Sequence, residues 1–332
     1  MKRDLGIDIM RVIGLLCIVL AHVSPPYFVF QLRNFDVPLM VFVSGVSYFL
    51  SGGMSGSYLK YFIKRLKRLV VPVWIFFAFY FMFFIVVLEQ SFTFRQLFGT
   101  LFLTGGIGYV WIIRVFLLMA ILAPVVIYIS KRFEINLPFI GLFLISLVQV
   151  LFFCFDGYLL DGLGKIFSVL ILYTLGYLGV FVLGYWVAAV GSKKLIYAFL
   201  CSFLVFSFSF FVNYEGGWVN TQSYKYPPQL MYLSYAMCVS FVLYIVRSYM
   251  SHFLIFLKME MFVGFVSGNS IWIYLWHIAF LSVYALSEYE WGVRYFGVLI
   301  SSIILVYIQV SIVDFLEAKV PSWKKYLRYL KG

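Results

Sequence analysis

The chain has 332 residues, of which 64% are hydrophobic and only 11% charged, and its formal net charge is +12. A soluble domain is about half apolar and about a quarter charged, so this composition excludes one and points to a polytopic membrane protein. The positive surplus argues for topology rather than nucleic-acid binding, because the cations sit in short connections between apolar runs and not on one soluble face. Cys17, Cys154, Cys201 and Cys238 lie inside apolar runs with neither paired nor metal-type spacing, so no disulfide framework and no metal site is expected.

Apolar stretches of spanning length predict ten helices, near 7–23, 35–50, 70–88, 109–129, 137–154, 167–190, 195–213, 229–247, 270–287 and 295–315. The expected fold is an all-α integral membrane protein, one bundle over residues 1–332 with no separate soluble domain. Lys2 and Arg3 precede the first stretch, but charges interrupt it and no small-residue cleavage pattern follows, so it reads as a retained span rather than a signal peptide. Ten spans leave both termini on one side. The ends and loops of that side hold eighteen cations, in clusters such as Lys60–Arg68 and Lys319–Lys331, whereas the other side holds five: Arg33, Arg95, Lys165, Lys225 and Arg294. The positive-inside rule then places both termini in the cytoplasm.

The first span, "DIMRVIGLLCIVLAH", carries an arginine and a histidine at membrane depth, Arg11 and His22. Eleven residues at about 100° each bring them within about 20° of one helix face, separated by about 16 Å of rise. Asp8 precedes Arg11 by three residues and can pair with it, lowering the cost of a guanidinium near hydrocarbon. One reading makes Asp8–Arg11 a staple between helices and His22 an interfacial hydrogen-bonding group ahead of Pro25 and Pro26; the other makes the face functional. Asp36 opens the second span on the side of His22, where it either caps that helix or orients the histidine. In "YLKYFIKRLKRLVVP", Lys60, Lys64, Arg65, Lys67 and Arg68 precede Pro72. Lipid headgroups alone justify such charge, yet Arg65 and Arg68 at i, i+3 spacing also suit a forked phosphate clamp, with Lys64 beside them. Helix four brings Arg114, three residues after Trp111 and ten before Pro124, either to stabilise an oxyanion or to snorkel to headgroups. His277 in "SIWIYLWHIAF" is expected a turn or two into helix nine from the cytoplasmic side, on a structural hydrogen bond. The outer connection "WVNTQSYKYPPQLMYL", 218–233, is polar and aromatic; it suits either sugar stacking or the ordinary interfacial belt.

Together, "RDLGIDIMRVIGLLCIVLAH", "FDVPLMVFVSG", "KRLKRLVVP", "YVWIIRVFLLMAILAP" and "SGNSIWIYLWH", in that order from residue 3 to about 315, resemble the membrane-bound acyltransferase family 3, which includes O-acetyltransferases of bacterial polysaccharides and O-antigens. The family's arginine, ten residues, then histidine falls on Arg11 and His22; its paired basic residues fall on Arg65 and Arg68 before Pro72; its small-residue turn in helix two falls on Ser44 and Gly45. The resemblance implies an acyl-coenzyme A donor, most simply acetyl-coenzyme A, on the cytoplasmic side of a bacterial inner membrane. It also implies a hydroxyl of a cell-surface or lipid-linked glycan as acceptor, with no metal and no nucleic acid, and it raises His277 to a site-lining candidate. An extra soluble domain of the kind some relatives append is not expected within these 332 residues.

Elementary chemistry agrees. Acyl transfer to a hydroxyl needs a base near neutrality, which histidine supplies, or a nucleophile that carries the acyl group covalently; both fit His22. A transporter or flippase for a lipid-linked glycan would also be a basic helical bundle, but broken helices in corresponding positions of two halves are expected there, and no such correspondence is visible.

Overall fold

The computed structural model describes residues 4–54, 56–159, 162–214, 216–217, 219–284 and 289–331; the expected positions Lys2, Arg3, Trp218 and 285–287 lie outside them. Among the described residues the chain is helical, with no β-strand. Its α-helices are α1 (Leu5–Ala21), α2 (Tyr27–Leu32), α3 (Asp36–Leu50), α4 (Tyr58–Val86), α5 (Phe94–Leu101), α6 (Trp111–Arg132), α7 (Leu137–Phe155), α8 (Gly162–Phe167), α9 (Tyr173–Ala189), α10 (Ser192–Val212), α11 (Leu230–Phe256), α12 (Glu260–Gly268), α13 (Ser270–Tyr284), α14 (Trp291–Lys319) and α15 (Lys324–Leu327).

Each stretch expected to span coincides with a helix, but several limits move. α4 begins at Tyr58 rather than near 70, so the basic run is its first turns and not a loop; Ser57 caps it by accepting the Lys60 N–H. α11 runs on to Phe256, which puts Arg247 inside the helix. The sixth expected span is divided into α8, a π-turn over Ser168–Leu172, and α9. The short α2, α5 and α12 carry no spanning signal. Among the described residues seven helices are long and apolar enough to cross a membrane: Tyr58–Val86, Gly108–Arg132, Leu137–Tyr158, Gly162–Ala189, Ser192–Val212, Leu230–Phe256 and Trp291–Lys319. The apolar α1, α3 and α13, at 17, 15 and 15 residues, are shorter than the ~20 residues that cross a bilayer.

The chain forms two compact units. The first holds Met1–Ile18, Pro26–Ser55 and Leu118–Glu260. Its centre is α9, packed on α3 and α7 through glycines that let backbones approach. A Cβ on Gly45 would overlap the Phe181 carbonyl oxygen and one on Gly184 the Phe42 carbonyl oxygen, while Gly141 and Gly179 face each other at the α7–α9 crossing. Around these contacts Phe42, Val43, Tyr177, Val180 and Val182 are buried. The large exposed side chains of α10, among them Tyr197, Leu204, Phe208 and Phe211, are apolar or aromatic, as a lipid-facing surface requires.

The second unit holds Val19–Pro25, Gly56–Leu117 and Met261–Gly332. α13 packs on α14 and α4. Phe76 meets Trp276 edge-to-face at 5.3 Å, and four residues further along α4 Tyr80 shares a hydrogen bond of 3.0 Å with Ser282, so α4 and α13 run in the same direction along their contact. After α14 the chain turns back through Pro321–Trp323, α15 and Arg328–Leu330.

Candidate active site

His22 is the first residue beyond α1. The helix ends because Pro25 and Pro26 cannot donate to its last carbonyls and because Ser24 takes a positive φ of 55°; the His22 N–H closes a tight last turn on the Val19 carbonyl at 3.1 Å. The ring meets His277, fully buried on α13: His22 Nδ1 lies 3.2 Å from His277 Nε2, with ring centroids 5.3 Å apart. His277 Nδ1 bonds the Tyr274 carbonyl one turn earlier. A carbonyl oxygen only accepts, so Nδ1 of His277 carries the proton; with His277 neutral its Nε2 accepts, and His22 donates from Nδ1. The lone pair of His22 is thereby assigned to Nε2, the nitrogen a general base would use.

This pairing corrects one expectation: the histidines, expected near opposite ends of the bundle's depth, sit at one level. Asp36 has partners within its own unit: its Oδ2 accepts from Arg33 at 2.8 Å, and its Oδ1 from Lys225 at 3.5 Å and from the Val37 N–H at 2.7 Å. It is not the cap of its helix, since Phe35 holds that position. Arg33 and Lys225, expected as interfacial loop cations, are only 3% and 4% exposed, and both neutralise this carboxylate. Burial pushes the Lys225 ammonium below its usual range, against the pull of Asp36.

Tyr109 stands edge-on to His22, with centroids 4.7 Å apart, and its carbonyl accepts the Tyr274 hydroxyl proton. The loop that carries it is built locally. Thr93 and Gln96 form a capping box at the start of α5, Thr100 accepts the Ile107 N–H at 2.9 Å, and Gly106 supplies a φ of 72°. Arg114 donates to the Leu103 carbonyl at 3.2 Å, holding a residue with φ 59°, so this arginine supports the loop.

In the first unit Arg11 pairs with Asp8 at 3.1 Å and donates to Ser47 of α3 at 2.9 Å, the partnership its spacing leads one to expect. Ser44 returns its hydroxyl to the Met40 carbonyl in mid-helix, and Gly45 beside it is the close crossing with α9, so this stretch is a helix contact and not a turn. Thr221, Lys225 and Gln229 of the connection 218–233, expected on the outer side, are buried, Thr221 bonding Gln31 and Asn34; Tyr226 stays exposed.

In the second unit a cavity of about 460 Å³ is lined by Lys60, Ile63, Lys64, Lys67, Arg68 and Pro72 of α4 together with Arg328, Tyr329 and Lys331. Six of these nine are cations and none is acidic, which suits a polyanion. Arg65 is not among them. Its guanidinium lies instead over the Tyr61 ring at 5.2 Å, one turn back on the same helix, so the expected Arg65–Arg68 clamp becomes Arg68 with Lys60, Lys64 and Lys67. Sequence reasoning missed Tyr109, Tyr274 and the C-terminal wall; the i, i+3 pair in "YLWH" was the available signal for Tyr274.

All-helical among its described residues, with seven spanning-length apolar helices there, the chain is an integral, multi-pass membrane protein. It matches the family model described as an acyltransferase domain over residues 4–310 and belongs to acyltransferase family 3; it is a membrane acyltransferase. No curated protein and no solved structure matches the chain. Among the described residues no cluster of metal-binding side chains occurs.

Proposed function

We propose that the protein is an O-acyltransferase that moves an acyl group, in the simplest case acetyl, from acyl-coenzyme A to a hydroxyl of a cell-surface or lipid-linked glycan. One observation carries this reading: α4, whose basic turns line the cavity, packs in the same direction along α13, which carries His277, the partner of His22. Arg68 precedes Phe76 and Tyr80, the residues that meet α13 on either side of His277, by eight to twelve positions, or about 12–18 Å of helical rise. That separation suits an extended pantetheine arm with its phosphates in the cavity and its thioester at His22.

In this mechanism His22 Nε2 removes the proton of the acceptor hydroxyl. The hydroxyl oxygen attacks the thioester carbonyl, the C–S bond breaks, and the imidazolium returns the proton to the leaving thiolate. His277 holds the tautomer, Arg114 and Tyr274 hold the Tyr109 loop, and Arg11 with Asp8 and Ser47 anchors α1 against α3. The cation asymmetry supports ten spans with both termini, and hence the donor cavity, in the cytoplasm of a bacterial inner membrane.

The test compares the glycan of a host with and without the gene by mass, and again with His22→Ala at equal protein level. A shift of one acetyl unit, lost in the variant by at least the ~10²–10⁴-fold due to a general base, is expected. Full modification by a folded His22→Ala protein refutes the assignment of the base.

A further inference from the structure

The C-terminal segment after α14 lies past the residues matched to the family, which end at 310, and yet it walls the basic cavity. It is held there by side chains that have little other reason to be polar. The indole N–H of Trp272, a residue 2% exposed, donates to the Tyr329 carbonyl at 3.2 Å. Gln309 donates to the Leu330 carbonyl at 2.7 Å while its Oε1 accepts from the Trp276 indole at 2.8 Å. Lys331 closes the strap on Glu317 at 2.9 Å and on Asp314. Two tryptophans of α13 and three polar residues of α14 therefore fix a segment of four residues against α4.

The cations of this segment divide by role. Lys331 is neutralised by two carboxylates and serves as a tether. Among the described residues Arg328 pairs with no carboxylate: it donates to the Tyr329 hydroxyl at 2.7 Å and lies 4.8 Å over that ring, so a guanidinium and a half-exposed aromatic face are presented together at the cavity. A cation beside a stacking surface suits a phosphorylated nucleoside better than a bare phosphate, because the base and the phosphate are both addressed.

We propose that the C-terminal strap is part of the donor site, and that Arg328 and Tyr329 hold the nucleotide end of the donor, the phosphorylated adenosine farthest from the thioester. This rests on the acyl-coenzyme A reading above and adds a division of labour: α4 takes the diphosphate with Arg68 and its lysines, and the strap takes the nucleoside. Trp276, whose indole bonds Gln309 in the strap's anchor, immediately precedes His277, so the segment that reads the donor's far end is tied to the helix that holds the catalytic tautomer.

The same shared chemistry, phosphate on a guanidinium, could come from an anionic lipid headgroup, and the experiment separates the sources. Full-length protein is reconstituted in bilayers of neutral lipid and, separately, of lipid containing phosphatidylglycerol. Kinetics are measured with acyl-coenzyme A and with acyl-phosphopantetheine, which lacks the nucleotide. Arg328→Gln is expected to raise KM for acyl-coenzyme A about tenfold in both bilayers with kcat within about twofold, and to leave KM for acyl-phosphopantetheine unchanged. Trp272→Phe, which keeps the packing and drops the indole N–H, is expected to give the same selective rise in smaller measure. An equal effect on both donors, no effect on either, or an effect seen only with anionic lipid overturns the proposal. Wild-type protein that turns over neither donor refutes the acyl-coenzyme A reading itself and is distinguishable from these outcomes.

Discussion

His277→Leu removes the acceptor that His277 Nε2 offers to His22 Nδ1 at 3.2 Å without placing a new charge in the site. His22 is half-buried at the end of α1, so deleting that acceptor leaves its ring N–H without that partner, a loss of about 1–3 kcal/mol, or about 5–150-fold in rate if the bond is needed to keep the lone pair on Nε2. The loss should fall on kcat, because the donor site we propose is the α4 cavity, which His277 does not line. His277→Gln supplies a carboxamide oxygen that can accept the same proton and should recover part of the rate. The double variant His22→Ala/His277→Leu should be no slower than His22→Ala alone, since a positioning residue has nothing left to position. Single-turnover acyl transfer by purified protein, with folded fraction judged by size-exclusion, reads all four. A folded His277→Leu protein with wild-type kcat would refute the tautomer argument.

Other perturbations follow from the same geometry. Asp36→Asn leaves Arg33 and Lys225 buried without their counter-charge and should destabilise the protein by about 3–5 kcal/mol, whereas Lys225→Met keeps the Arg33–Asp36 pair, removes a cation that burial already disfavours, and should change stability by about 1 kcal/mol or less; thermal unfolding in detergent ranks the two. Arg68→Gln should raise KM for acyl-coenzyme A about tenfold and Arg65→Gln less than twofold, because only Arg68 lines the cavity; equal effects would restore the paired clamp. Gly184→Leu should abolish recovery of monodisperse protein, since even a Cβ there meets the Phe42 carbonyl. A cysteine at exposed Ser223 should react with an impermeant thiol reagent added outside and one at exposed Ser192 should not; the reverse pattern would move the donor cavity to the other face.

Hydropathy located the helices because burial in a bilayer depends on composition over about 20 residues, which a single sequence displays. It missed the first turns of α4 for the same reason: the basic residues of Lys60–Arg68 lower the local hydropathy, although nothing in them breaks a helix. Asp8 with Arg11 was readable, being one helical turn apart. His22 with His277 was not, because 255 residues separate them and periodicity within a helix says which face is polar but not which helix that face meets. The fate of Asp36 was hidden likewise: its partner Lys225 lies 189 residues away, in a connection whose charge looked sufficient as an interfacial signal. The strap residues Arg328 and Lys331 were counted as inside charges, a reading that explains their sign and not their place.

The glycine crossings of α9 bear on how the first unit can move. At Gly45 and Gly184 two backbones touch at points where no other residue fits, and Gly141 with Gly179 repeats the arrangement on the neighbouring helix. Sliding α3 one turn, about 5.4 Å, along α9 would bring Val41 or Phe49 to the place of Gly45, against the same carbonyl, so the helices interlock like notched timbers. α3, α7 and α9 therefore behave as one block, and any rearrangement within this unit during a catalytic cycle must occur at the hinges of its other segments rather than by slippage within that block.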